Sequence, residues 1–250
     1  MSVLPARWCY NQLMPAFAQI LTHILFLYTL IAEPLLGVRF YRSLQAHLEV
    51  EPRARGSYFL RLFIWEWSLA AAVTVVAALA SVPLAKLGLR GLDEPGWVLV
   101  GTMVMTMALV QLVLLRSARG RDVFQQRLKV AEALLPTGKF ERWLYATLSL
   151  SAGICEELLF RGYLWWYLAT WTPGLPEWGF YLITSAMFGF GHLYQGGWAV
   201  LQTTLTGAIL AFLYRYTGSL IPAMVFHALV DLRVLQIAPI HSAAGPNNGL

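Results

Sequence analysis

Apolar residues run along this chain in long blocks. Seven stretches read as helices of about 20 residues, the length that crosses roughly 30 Å of hydrocarbon. They are approximately Phe17–Gly37, Leu60–Ala85, Gly96–Leu115, Trp143–Trp166, Trp178–Tyr194, Trp198–Tyr216 and Ser219–Ile237. An eighth span follows if Leu60–Ala85 or the N-terminal segment is divided differently. Glu51-Pro52, Asp93-Glu94-Pro95-Gly96, Pro136-Thr137-Gly138 and Pro173-Gly174-Leu175-Pro176 mark connections, because proline cannot continue a helix and glycine permits a reversal. No internal repeat or low-complexity tract interrupts the pattern. The expectation is one integral membrane domain over residues 1–250, an all-α polytopic bundle of about seven to eight transmembrane helices around a polar cavity.

Composition agrees with that pattern. Hydrophobic residues make up 58% of the chain and charged residues 12%, with a mean hydropathy of +0.59, so a soluble core is not the expectation. The net charge of +5 does not point to nucleic acid, because the basic residues flank the apolar blocks. Five arginines fall between Arg39 and Arg61, and seven of the eighteen Lys and Arg between Arg116 and Arg142. The connections Leu89–Pro95 and Trp171–Glu177 carry acidic residues instead. The positive-inside rule makes the two basic regions cytoplasmic, with the N-terminus outside and, for seven spans, the C-terminus inside. Arg90 and Arg215 run against this asymmetry.

Met1–Leu36 has the basic residue and apolar core of a secretory signal, but Ile31-Ala32-Glu33-Pro34 is a poor cleavage site, so a retained first span is expected. From Asp122 to Leu135, apolar Phe124, Leu128, Ala131 and Leu135 recur every three or four positions, with Gln125, Arg127, Lys129 and Glu132 on other faces. This is a helix lying in the membrane interface or an ordinary connector. The polar tail His241–Leu250 is expected to be disordered. Cys9 and Cys155 have no metal-ligand spacing, and no bridge between them is expected with Cys155 inside the membrane. Tryptophans and tyrosines near span ends, Trp165, Trp166 and Trp171 above all, read as interfacial anchors.

Against this background six ionisable residues stand out at bilayer depth: Glu156, Glu157, Arg161, His192, His227 and Asp231. Each costs at least a few kcal/mol there, which marks them as functional candidates. Successive helical residues differ by about 100°, so Glu156 and Glu157 face different ways, whereas Glu157 and Arg161 share a face. A Glu157–Arg161 pair neutralises itself and leaves Glu156 free. His192 follows Phe188-Gly-Phe-Gly, where two glycines let another backbone or a substrate approach. His227 and Asp231 lie one turn apart. Asp231 either orients His227 or meets Arg233 nearer the surface.

Carboxylate, imidazole, imidazole, carboxylate is a set of general acid and base groups suited to hydrolysis of an amide by water. A desolvated Glu is a better base than one in water, a histidine can hold the attacking water, and a second donor must meet the oxyanion. Zinc is the competing use of two His and one or two carboxylates, although no His-Glu-x-x-His occurs. Cys155 reads as core packing, since burial beside carboxylates opposes thiolate formation. Glu66, between Trp65 and Trp67, has Arg61 as its candidate partner and carries no assigned role.

The pattern Glu156-Glu157-x-x-x-Arg161, Phe188-x-x-x-His192 and His227-x-x-x-Asp231 resembles the three motifs of the CAAX prenyl protease type II and bacteriocin-processing family, the glutamate-type intramembrane endopeptidases. The resemblance covers roughly Trp143–Ile237. It implies a helical bundle around a water-accessible cavity and metal-independent, cofactor-free cleavage near the C-terminus of a membrane-associated protein or peptide. It also implies that Glu156 activates water, that His192 shares that water, and that His227 with Asp231 serves the oxyanion, with Glu157 and Arg161 supporting them. The best-known members have Asn where this chain has Asp231, although Asp also occurs in the family. An ionised Asp cannot donate a hydrogen bond to an oxyanion, so Asp231 is either protonated or only orients His227. A non-catalytic reading stands beside this one: a proton-coupled transporter or an immunity partner using the same buried groups.

Overall fold

The computed structural model describes residues 14–51 and 54–236, and among them there is no β-strand. Helices occupy all seven apolar blocks. The first block opens α1, Ala16–Val50, whose interior contains a π-helical turn at Tyr28–Ala32. α2 is Arg55–Leu79, α3 is Glu94–Arg116 and α4 is Ala118–Leu128. α5 runs without a break from Lys139–Glu157 through a π-helical Leu158–Tyr163 into Leu164–Trp171. α6 is Glu177–Gly191, α7 is Gly197–Thr217 and α8 is Ile221–Leu232. Cys9 and the tail 241–250 lie outside the described residues, as do the side chains of Phe124, Leu128 and Ala131. The proposed interfacial helix is α4 followed by a 3-10 turn, Lys129–Leu134.

Four of these rods, α1, α2, α3 and α7, are long and apolar enough to cross a membrane. The protein is accordingly an integral membrane protein. α3 shows how the surface is built: only 6% of its apolar window is buried, and Met105, Leu109 and Val113 are 60–71% exposed. An apolar surface this extensive has lipid as its natural solvent. The helices that carry the polar residues differ. α6 has 15 residues and α8 has 12, and at about 1.5 Å per residue both fall short of the hydrocarbon thickness. α8 has no exposed residue, whereas α6 still turns Trp178, Leu182 and Phe190 outward.

α5 is the central rod, packed against α2 on one side and α8 on another, with α6 lying along α7. Its π-helical turn is buried throughout, from Leu158 to Tyr163, and the Tyr163 hydroxyl donates to the Thr22 carbonyl, tying α5 to α1. Gly218, with φ 65°, reverses the chain between α7 and α8. α5 and α8 approach closely at Gly153, where a Cβ would lie 2.9 Å from the Met224 carbonyl oxygen and 3.1 Å from the Ala228 Cβ. Gly153→Ala is therefore expected to push α5 and α8 apart. Overpacking outweighs the better helix propensity of alanine, for a net loss of about 1–2 kcal/mol and reduced activity. Melting of the purified variant checks this, and an unchanged or higher melting temperature contradicts it.

Both basic residues that run against the asymmetry of the loops have local partners, one a carboxylate and the other a main-chain carbonyl. Arg215 Nε lies 2.7 Å from Glu177 Oε1, and Arg90 donates to the Thr217 carbonyl at 2.9 Å. At the opposite end, Arg55 bridges to Glu141 at 3.4 Å and donates to the Ala133 carbonyl at 2.8 Å.

Candidate active site

Glu156 and Glu157 close the α-helical part of α5, immediately before the π-helical turn. Regular α geometry puts Glu157 and Arg161 on one face; the turn here is wider, and the two residues still meet across it. Glu157 Oε1 accepts from Arg161 Nη1 at 2.8 Å, with both side chains fully buried. Arg161 Nη2 donates to the Gly207 carbonyl at 2.9 Å, and the guanidinium lies 4.3 Å from the centre of the Phe188 ring. The same Glu157 oxygen also accepts from His227 Nδ1 at 2.8 Å. An ionised carboxylate can only accept, so Nδ1 carries the proton and Nε2 is the nitrogen turned to the remaining groups.

Those groups are the other two acids. His227 Nε2 is 3.9 Å from Glu156 Oε2 and 3.6 Å from Asp231 Oδ2. The orienting role considered for Asp231 is therefore shared: Glu157 holds the far side of the ring by a hydrogen bond, while Asp231 faces the same nitrogen as Glu156. Glu156 Oε2 is buried without a hydrogen-bond partner.

His192 caps α6, and its Nδ1 donates to the Phe188 carbonyl at 2.9 Å. In the neutral ring this leaves Nε2 as an acceptor. Phe188 itself is a hub that the sequence reading used only as a motif mark. Its ring is 5.0 Å from His192, 5.5 Å from His227 in an edge contact, and 5.2 Å from Phe160. The signal for it was its four-residue spacing to His192.

Glu156, His192, His227 and Asp231 all line one cavity of about 1470 Å³. Two carboxylates not assigned to the site join them there, Glu33 from α1 and Glu66 from α2. Glu66 makes no ion pair with Arg61, whose guanidinium instead sits 5.1 Å from the centre of the Tyr58 ring. Cys155 also borders the cavity but is buried, with only the Ser151 hydroxyl 3.9 Å from its sulfur. Among the described residues no group of three or more His, Cys, Asp and Glu side chains is arranged to hold a metal ion.

Residues 138–233 match the model of the family described as Type II CAAX prenyl endopeptidase Rce1-like. The match covers less than half of the chain, from the start of α5 to the end of α8, and contains every residue of the three motifs. That family is one of proteases, so α5 to α8 form a region similar to a protease domain. No curated protein and no solved structure matches the chain.

Proposed function

We propose that the protein is a multi-pass intramembrane endopeptidase that hydrolyses a peptide bond near the C-terminus of a membrane-anchored protein or peptide, with water activated by Glu156. One observation carries this reading. Of the two adjacent glutamates, Glu157 is bonded through its Oε1 to Arg161 and His227 and stays off the cavity, while Glu156 lines the cavity together with both histidines and has a buried Oε2 that no protein group bonds. Glu156 takes a proton from a water held with His192, and the resulting hydroxide attacks the carbonyl carbon of the substrate. His227, with a proton on each ring nitrogen, donates from Nε2 to the oxyanion while Glu157 holds its Nδ1. Glu156 then returns its proton to the leaving nitrogen as the C–N bond breaks. Asp231 faces Nε2 and positions that ring.

Arg39, Arg61 and Arg119, which line the cavity, come from the two basic regions that the positive-inside rule assigns to the cytoplasm, and on this reading the substrate enters from that side. The test incubates purified protein with a pool of membrane-anchored peptides, with and without EDTA, and reads products by mass spectrometry. Cleavage in the presence of EDTA is the expected result. Cleavage lost on chelation moves the chemistry to a metal, and no cleavage by the wild type leaves the transporter or partner reading ahead. In the same assay His192→Ala is expected to abolish turnover, with a loss of about 100-fold or more. Asp231→Asn keeps the geometry and is expected to retain activity; a loss as large as that of His192→Ala contradicts the positioning role given to Asp231.

A further inference from the structure

Glu33 and Glu66 are the carboxylates that the mechanism leaves unused. Both sit inside apolar spans, where an ionisable group without a purpose is selected against by several kcal/mol. Each has an Oε2 that is buried and without a hydrogen-bond partner, as Glu156 does. Among the described residues no Lys, Arg or His nitrogen comes within ion-pair distance of either. Arg39, on the same helix as Glu33 and on the same cavity, is six residues on, about 9 Å along the axis.

The placement of Glu33 is specific. It follows directly on the π-helical turn Tyr28–Ala32 of α1, just as Glu156 and Glu157 directly precede the π-helical turn of α5. Such turns interrupt the regular hydrogen bonding of the helix and are frequent at functional sites. The Glu33 carboxylate is packed against Gly191, where a Cβ would lie 3.2 Å from both of its oxygens. Gly191 immediately precedes His192. Glu33 is therefore held one residue from the imidazole assigned to the attacking water, although it comes from a helix outside the stretch similar to the protease family.

A peptide drawn into a cavity within the membrane brings main-chain N–H groups that have lost water and must find acceptors. Two buried, unpartnered carboxylate oxygens beside the reaction centre are such acceptors. Resting on the peptidase reading above, we infer that Glu33, with Glu66 lining the same cavity, is a substrate-positioning residue whose carboxyl oxygen accepts from main-chain N–H groups of the substrate next to the scissile bond.

The test uses the full chain in lipid nanodiscs and a fluorogenic membrane-anchored peptide that the wild type cleaves, together with versions N-methylated at one amide at a time. Glu33→Ala is expected to raise KM about tenfold with kcat within about twofold, the size of one hydrogen bond. Glu33→Gln keeps a carbonyl acceptor and is expected to stay within about threefold of wild type. One N-methyl peptide should suffer the same tenfold rise with the wild type and no further rise with Glu33→Ala, because the two changes remove one contact.

Equal falls in kcat and kcat/KM, a Gln variant as impaired as Ala, or N-methyl penalties that simply add to that of Glu33→Ala overturn the inference. If Glu33→Ala does not fold, the N-methyl series on the wild type and on Glu33→Gln decides, and absence of any sensitive amide overturns it. Peptide binding to the Glu156→Gln protein, read by fluorescence anisotropy with and without Glu33→Ala, separates this inference from the peptidase reading. Tenfold weaker binding upholds the seat for the substrate even where turnover is absent, and unchanged binding removes it.

Discussion

Glu156→Gln is expected to lower kcat by about three orders of magnitude while leaving KM and the melting temperature close to those of the wild type. Glutamine fills the same volume and keeps an oxygen toward the cavity, but it cannot take a proton from water, and general-base catalysis contributes about 10²–10⁴-fold. The fold has no stake in this carboxylate. Its Oε2 bonds to nothing, and its nearest charged neighbour, His227 Nε2, is 3.9 Å away, beyond hydrogen-bond distance. Single-turnover cleavage of an anchored peptide checks the expectation. A variant that keeps more than about a tenth of the wild-type rate removes Glu156 as the base.

The largest loss of stability is expected at the neighbouring pair. Arg161→Leu and Glu157→Leu, made singly, each strand an opposite charge at a site with no exposure, and breaking a buried pair in this way costs about 3–5 kcal/mol. For a chain of this size that corresponds to a melting point lowered by about 10 °C. The two variants should differ in one further respect. Arg161→Leu leaves His227 Nδ1 its acceptor, whereas Glu157→Leu removes it, together with the orientation of the ring. The double variant is expected to regain much of the lost stability, because two apolar side chains replace a matched pair, and to remain inactive because His227 is no longer held. Thermal unfolding in detergent, paired with the cleavage assay, reads both. Single variants that melt within about 2 °C of the wild type would show that the pair carries no structural load.

Much of the site was legible in the sequence because apolar spans make every ionisable residue conspicuous. Glu156, His192, His227 and Asp231 could be picked out by that contrast alone, and the structure brings all four to one cavity. The separation of Glu156 from Glu157 followed from helical geometry, and the Glu157–Arg161 pair followed from their spacing. What could not be read was the second bond of Glu157, to His227. It spans 70 positions and depends on α5 and α8 touching at Gly153. Glu33 was legible only as a residue spoiling a cleavage site. Its place against Gly191 requires α1 and α6 to meet, and no local pattern encodes that meeting. Glu66 misled for a related reason. Arg61 was close along the chain, but it lies over the face of Tyr58, and Glu66 is left to the cavity.

The sequence by itself determined the class of the molecule and the cast of its chemistry. Hydrophobic blocks of helical length admit only a helical membrane protein, since lipid leaves no partner for an unpaired backbone, and desolvation makes each charge in such a block an exception that needs a reason. Tertiary structure decided which exceptions serve the fold and which face the cavity. That assignment turns on contacts between helices far apart in sequence, where differences of an ångström determine whether a carboxylate is held by its neighbours, as Glu157 is through its Oε1, or left facing the cavity, as Glu156 is.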